Sequence, residues 1–272
     1  MSLFTSLRYT PINDKSLSVC GKRGRWQRSV RIPSAVRRWG DLPVTRIGRL
    51  AFARDPWLEE VVIPEGVTSI GAEAFLGCTH LRSVSLPSTL ECLEERAFMH
   101  CPSLTHIRLP QGLAVLQRDV FAGCGSLENE ADQRGGVLTV DGWVIGCAEG
   151  RDHYELERGI RGIAVGAFDS GKRVERISNP RYAEEMARYE EEDLYRQYWY
   201  EVSGNAPPQG ELILPRAYTE RICPVRIQYG GTLAEWSKLR IFEGDEAYPF
   251  IITAADGTAE ATMLCCRKRK PS

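Results

Sequence analysis

The chain has 272 residues, enough for a substantial core in one or two domains, and its hydrophobic (43%) and charged (26%) fractions are ordinary. The net charge of −1 conceals an asymmetry: residues 1–50 carry eleven Lys or Arg against Asp14 and Asp41, a net of +9, so the other 222 residues sum to −10. No apolar run reaches the roughly 18 residues of a membrane helix, and Met-Ser-Leu-Phe-Thr-Ser-Leu-Arg lacks the charged lead and apolar stretch of a secretory signal; with nine cysteines to keep reduced, the expected compartment is cytoplasmic.

In chain order, Leu7-Arg8-Tyr9-Thr10 and Leu17-Ser18-Val19-Cys20 flank the turn-forming pair Asn13-Asp14, which predicts an antiparallel hairpin that covers the first coil as a cap. Ser29-Val30-Arg31-Ile32-Pro33 then reads as a strand ended by proline, and after an insertion around Gly40 the segment from Val44 to Phe52 begins a periodic pattern. Residues 58–124 state that pattern three times at a spacing of 23: Leu58, Val61, Ile63, Pro64, Val67, Ile70, Ala74, Phe75, Cys78 recur as Leu81 through Cys101 and again as Leu104 through Cys124. Within one line, Val84 and Leu86 alternate with Ser83 and Ser85, so a short strand buries the former and exposes the latter. Pro87 turns the chain out of the sheet, Leu90 and Leu93 step three apart, and Ala97-Phe98 close the coil. Burying each Leu, Val or Phe contributes roughly 1.5–3 kcal/mol, and because neighbouring coils supply each other's core, one coil alone should not hold. The column Cys78, Cys101, Cys124 is expected to be interior thiol acting as a small apolar group.

The pattern L-x-x-I-x-L-P-x-x-L-x-x-I-x-x-x-A-F-x-x-C over residues 44–127 resembles the BspA-like leucine-rich repeat, type 5. A half line at Ile47, Ala51 and Phe52 precedes it, with Asp55 at the Cys position, and Gly66, Thr89 and Gly112 stand where the commoner leucine-rich pattern has Asn or Cys. The resemblance implies a β-rich leucine-rich-repeat solenoid that binds other proteins or surface glycans, with no catalytic residues to carry over; the family is often displayed on cell surfaces, which disagrees with the expected compartment.

After Cys124 the period falters. Val137–Val140, Asp141-Gly142 and Trp143–Gly146 read as a tight hairpin, and the pattern resumes at Ile160, Ile163, Ala167 and Phe168. Val174 and Ile177 are expected to lie in the fifth repeat strand, with Asn179-Pro180 starting a helix over 181–202 whose first half is acidic. Glu211 to Pro215 is expected to rejoin the register of Ser83 to Pro87; Val225–Tyr229 is a strand, Thr232 caps a short helix carrying Trp236 and Leu239, and Phe250–Thr253 with Ala261–Leu264 form a closing hairpin. The organisation is thus an N-terminal hairpin cap and first coil (1–43), regular repeats (44–127), an elaborated hairpin and repeat (128–180), a helical insertion with its loop (181–210), and C-terminal repeats with a cap (211–272).

Chemistry is sparse. Gly166 to Arg173 nearly spells a phosphate-binding loop, but Arg173 replaces the magnesium-binding hydroxyl and Ala167-Phe168 belong to the core. Cys78, His80, His100 and Cys101 could approach one another from adjacent coils as zinc ligands, yet the register turns the cysteines inward and leaves the histidines in loops. With no nucleophile or acid–base pair placed by the repeats, the expectation is no enzyme, no cofactor and no metal. Recognition then falls to the outward strand positions, which form two columns: Ser29, Glu60, Ser83, His106, Arg176, Glu211 and Arg31, Val62, Ser85, Arg108, Ser178, Ile213. Tyr198 and Trp199, at the aromatic end of the inserted helix, are a second candidate, since aromatics concentrate at interface hot spots. Both features have a plain alternative, a solvated face and a staple for the insertion. A protein partner is favoured; the rivals are a nucleic-acid or polyanion binder using the basic first fifty residues, and self-association of that basic region with the acidic helix.

Overall fold

A proline two or three positions past each of the strands Glu60–Val62, Ser83–Ser85 and His106–Ile107 keeps these repeat strands very short. The structure, a computed structural model, describes residues 6–23, 27–125, 127, 135–149, 151, 153–171, 174–203, 216, 218–222, 224–241 and 250–261. Its first strands are β1 (Ser6–Asn13), β2 (Ser16–Arg23), β3 (Ser29–Arg31), β4 (Ala35–Val36), β5 (Leu42–Ile47), β6 (Glu60–Val62), β7 (Ser69–Ile70), β8 (Ser83–Ser85), β9 (Cys92–Leu93), β10 (His106–Ile107) and β11 (Val115–Leu116). They form two ladders. In one, β3, β6, β8 and β10 pair in parallel with Ser29, Glu60, Ser83 and His106 in register; in the other, Ile47, Ile70 and Leu93 align with Leu116 along β5, β7, β9 and β11. Partners within the regular repeats are one 23-residue period apart. The expected hairpin is present as β1 and β2, and β2 adds in parallel to β5, covering the first repeat.

A third ladder runs through the turns. Leu50, Phe52 and Arg54 donate their N–H groups to the carbonyls of Ala72, Ala74 and Leu76, and the same bonds recur from Glu73, Phe75 and Gly77 and from Arg96, Phe98 and His100. To aim these groups, two residues per repeat take the left-handed conformation: Leu50, Glu73, Arg96 and Asp119 at φ 56–58°, and Arg54, Gly77, His100 and Gly123 at φ 57–73°. That conformation costs a non-glycine residue about 1–2 kcal/mol, which the bonds and the burial behind them offset. Behind the turns the rings of Phe52, Phe75, Phe98 and Phe121 stack with centroids 5.1, 5.0 and 5.9 Å apart, within 9° of parallel. Cys78, Cys101 and Cys124 are buried and form no disulfide, and each thiol donates to a phenylalanine carbonyl, of Phe52, Phe75 and Phe98, at 3.1–3.2 Å.

The column of thiols begins with a charge. Asp55 takes the Cys position of the half line, and Lys22 reaches it from β2 at 2.5 Å, the two side chains only 10% and 7% exposed. Lys22 also donates to the Gln27 carbonyl, and Asp55 accepts from the Trp57 N–H.

The remaining elements are β12 (Val137–Val140), β13 (Trp143–Cys147), β14 (His153–Leu156), β15 (Gly162–Ile163), β16 (Val174–Ser178), helix α1 (Tyr182–Ser203), β17 (Tyr218–Ile222), β18 (Val225–Tyr229), helix α2 (Leu233–Trp236), β19 (Arg240–Ile241), β20 (Phe250–Ala254) and β21 (Gly257–Ala261). The expected hairpin joins β12 to β13 through Asp141 and Gly142, both with positive φ as a type I′ turn requires. The chain divides into two compact units, Met1–Lys172 with Pro224–Ser272, and Arg173–Cys223. The second unit is strand, helix, strand: β16 pairs antiparallel with β17 across α1.

This corrects the placement of Val174 and Ile177. They belong to no repeat strand; β14 instead pairs in parallel with β18, then β20, and β21 closes the sheet. His153 and its partner Arg226 are 73 positions apart, of which the second unit accounts for 51, leaving 22, close to one repeat. An inserted unit therefore interrupts a repeat that resumes at β18. The expected strand at Glu211–Pro215 and the loop 204–210 lie outside the described residues, as does the end of the closing hairpin beyond Ala261. The Thr232 cap is present as a full capping box: Glu235 N–H donates to the Thr232 hydroxyl and the Glu235 carboxylate accepts from the Thr232 N–H. Trp236 and Leu239 are buried behind it.

Phe98→Ala should remove one layer of the ring stack and lower stability by about 3–5 kcal/mol in urea unfolding, with Phe98→Leu recovering most of it. Lys22→Met or Asp55→Cys alone leaves one largely covered charge unpaired and should cost about 1–3 kcal/mol. The double variant restores the apolar column, so its unfolding midpoint should return to that of the parent.

Candidate functional site

Parallel pairing across β3, β6, β8 and β10 turns a sequence period into a patterned surface. Val30, Val61, Val84 and Ile107 point into the core, and Ser29, Glu60, Ser83 and His106 face outward as one exposed row. Arg31, half-buried Val62, Ser85 and Arg108 form the next row. Arg28, Glu59, Arg82 and Thr105 precede them; Arg28 pairs with Glu59 at 3.3 Å, and the His106 ring shares a hydrogen bond with Thr105 at 2.9 Å. Among the described residues, Arg31, Arg82 and Arg108 have no acidic partner, and Glu60 is the one carboxylate of these rows left without a cation. Short side chains in the middle and unpaired arginines at the rim leave a shallow, mildly basic strip.

Beyond β10 the structure uses side chains instead of a strand. Arg161 donates to the carbonyls of Leu109 and Pro110 and to Asp141, while Asp141 accepts from the Leu109 N–H at 2.7 Å. The β12–β13 turn is thereby joined to the strip's end. Sequence reasoning gives neither residue this role, since a hydrogen bond to a backbone group 51 or 52 residues from Arg161, or 32 from Asp141, leaves no local signal.

Two of the expected contact residues stand elsewhere. Arg176 and Ser178 are exposed on β16 of the second unit, so the extension of the two rows onto them is overturned by their antiparallel pairing with Glu220 and Tyr218. Tyr198 and Trp199 lie in the C-terminal half of α1. In its first half Tyr182, Met186 and Tyr189 are half-buried on one side, and Asn179 accepts from the Arg181 N–H and donates to Glu185.

Burial pushes the Cys78 thiol up to about 12 and Cys92 up to about 11, the latter also beside Glu94; Cys101 is raised by its hydrogen bond with Cys124 and by burial. Neutral thiols of this kind are poor nucleophiles. The four imagined zinc ligands do not converge: Cys78 and Cys101 bond to carbonyls inside, and His80 and His100 are exposed. Among the described residues no group of three His, Cys, Asp or Glu could hold a metal ion. In the near-phosphate loop Ala167 and Phe168 are buried and Asp169 pairs with Arg118, while Lys172 and Arg173 lie outside the described residues. No described helix is long and apolar enough to cross a membrane.

Carboxylates instead tie repeat to repeat. Glu65 accepts from both the N–H and the hydroxyl of Ser88, one period later, which holds its pKa below the usual carboxylate value. Glu235 is lowered by the Thr232 N–H and by Arg158. A carboxylate with a depressed folded-state pKa stabilises above its unfolded value and loses that contribution as pH falls through the folded one. The thermal midpoint should therefore fall as pH drops from about 5 towards 3, and Glu65→Gln with Glu235→Gln should flatten that fall in thermal scans across the range.

A family model agrees with the repeat spacing. The family described as BspA type Leucine rich repeat region matches residues 45–132 in six copies. Among solved structures, a leucine-rich repeat protein from Bacteroides ovatus ATCC 8483 is 27% identical over 44% of this chain and 32% of its own, with a TM-score of 0.41. The T. pallidum leucine-rich repeat protein is 28% identical over 62% of this chain and 86% of its own, with a TM-score of 0.43. A leucine-rich cell surface protein from Faecalibacterium prausnitzii A2-165 is 19% identical over 60% of this chain and 66% of its own, with a TM-score of 0.28. The match thus spans about a third of the length of the Bacteroides ovatus protein. No curated protein matches the chain.

Proposed function

With residues 45–132 a BspA type leucine-rich repeat region, we propose that the protein is a noncatalytic solenoid module that binds another protein through the strand strip of β3, β6, β8 and β10. The observation that carries this reading is the strip itself: Ser29, Glu60, Ser83 and His106 beside Arg31, Val62, Ser85 and Arg108, held on a rigid backbone ladder, with arginines that no acid of the described residues neutralises. Rigid presentation of short and cationic side chains lowers the entropy lost on association, and arginine is enriched among interface anchors.

The aromatic end of α1, with Tyr198 and Trp199, is a second contact region in this reading, and Arg176 and Ser178 belong with it in the unit Arg173–Cys223 and not with the strip. Self-association remains a competing reading because residues 1–50 are basic and the first half of α1 is acidic. Nucleic acid is the weaker rival, since Lys22 and Arg46 of the basic region are already paired with Asp55 and Glu94. The free thiols of the described cysteines suit a reducing, cytoplasmic compartment, whereas the Faecalibacterium protein is described as a cell-surface one; fractionation of producing cells decides between the two.

Cross-linking the full chain in producing cells, identifying the captured protein and titrating it gives the test. Arg31→Glu with Arg108→Glu should weaken binding at least about 10-fold with an unchanged thermal midpoint, and affinity should fall with added salt. Equal affinity of parent and variant would remove the strip from the interface.

A further inference from the structure

The turn ladder has a beginning, and its first rung receives no hydrogen bond among the described residues. Every repeat's turn carbonyls accept from the repeat before, as Ala72, Ala74 and Leu76 do from Leu50, Phe52 and Arg54. The equivalent carbonyls one period earlier are those of Arg49, Ala51 and Ala53, and among the described residues none of the three receives a hydrogen bond. They alternate along the chain, which is the acceptor spacing an extended segment offers to a neighbour.

Ala51 and Ala53 border a cavity of about 600 Å³ lined by Arg8, Lys22, Leu50–Asp55, Pro56 and Trp57. Leu50 and Trp57 are 47% and 38% exposed, two of the four large hydrophobic side chains so placed among the described residues. Lys22 and Asp55 satisfy each other, but Arg8 and Arg54 have no acidic partner among the described residues. Gly21 packs closely beside this surface: a Cβ there would lie 2.7 Å from the Arg8 guanidinium and 3.0 Å from the Ala51 carbonyl, so the Gly21 position itself has no room for a side chain. Backbone acceptors, two cations and an apolar shelf thus converge on one concave surface.

We propose that this end of the turn ladder binds an extended acidic peptide segment of another protein. The segment's alternate N–H groups pair with the carbonyls of Arg49, Ala51 and Ala53 as a preceding repeat would, an acidic side chain meets Arg8 and Arg54, and an apolar one rests on Leu50 and Trp57. Main-chain pairing supplies affinity, and the charged and apolar contacts supply selectivity. The site is separate from the strand strip and does not depend on it.

Calorimetric titration of the full chain tests this with an acetylated, amidated heptapeptide alternating Glu with Val. Binding in the range of about 100 μM or tighter is expected, at least about 10-fold weaker for the Lys–Val peptide and for a Glu–Val peptide N-methylated at alternate amides. Arg54→Gly, which preserves the left-handed turn, and Arg8→Gln should each weaken it about 3- to 10-fold without moving the thermal midpoint, whereas Arg31→Glu on the strand strip should leave it unchanged. Undiminished binding of the N-methylated peptide, or no binding of the Glu–Val peptide at about 1 mM, overturns the proposal. So does light scattering that shows the chain self-associating in competition with the peptide, which would make a second copy the occupant.

Discussion

A backbone N–H that donates to a carbonyl 22 residues later is the bond on which the repeat region depends. It recurs three times per repeat in the turns, and it fixes the translation that brings Phe52, Phe75, Phe98 and Phe121 into one column of rings about 5–6 Å apart. Two left-handed residues per turn are needed to aim those groups, and Leu50, Glu73, Arg96 and Asp119 adopt that conformation despite their side chains. The strand ladders and the thiol column arise from the same translation.

A stack built this way must manage its ends, because a rung without a neighbour leaves backbone groups unpaired. The start of the buried column is closed by a charge pair, Lys22 of the hairpin on Asp55, in place of a further thiol. The strand strip ends on Asp141 and Arg161, which satisfy Leu109 and Pro110 with side-chain groups. The turn ladder has its first acceptors uncovered among the described residues, and there the structure offers cations and exposed apolar surface.

Interruption of a repeat by Arg173–Cys223 shows how such a stack tolerates insertion. Pairing of β14 with β18 continues across it with a net spacing of 22 residues, so the added unit leaves this parallel pairing intact. Its own strand pair β16–β17 satisfies its backbone internally. The apolar alternation of Val174 and Ile177 resembles a repeat strand because any half-buried strand alternates; the partner that makes it one or the other is more than 40 residues away in the chain.

By themselves, the 23-residue recurrence and its apolar positions determined the buried set of the regular repeats, the ring and thiol columns, the N-terminal hairpin, the Asp141-Gly142 turn and the Thr232 cap, since each is a local or strictly periodic signal. Tertiary structure alone decided which strands pair beyond the period, where His153–Leu156 enters the sheet, how Lys22 finds Asp55 and Arg161 finds Leu109, and which carbonyls stay uncovered. Those outcomes depend on pairing between residues far apart in the chain at no fixed offset, and composition and spacing carry no record of it.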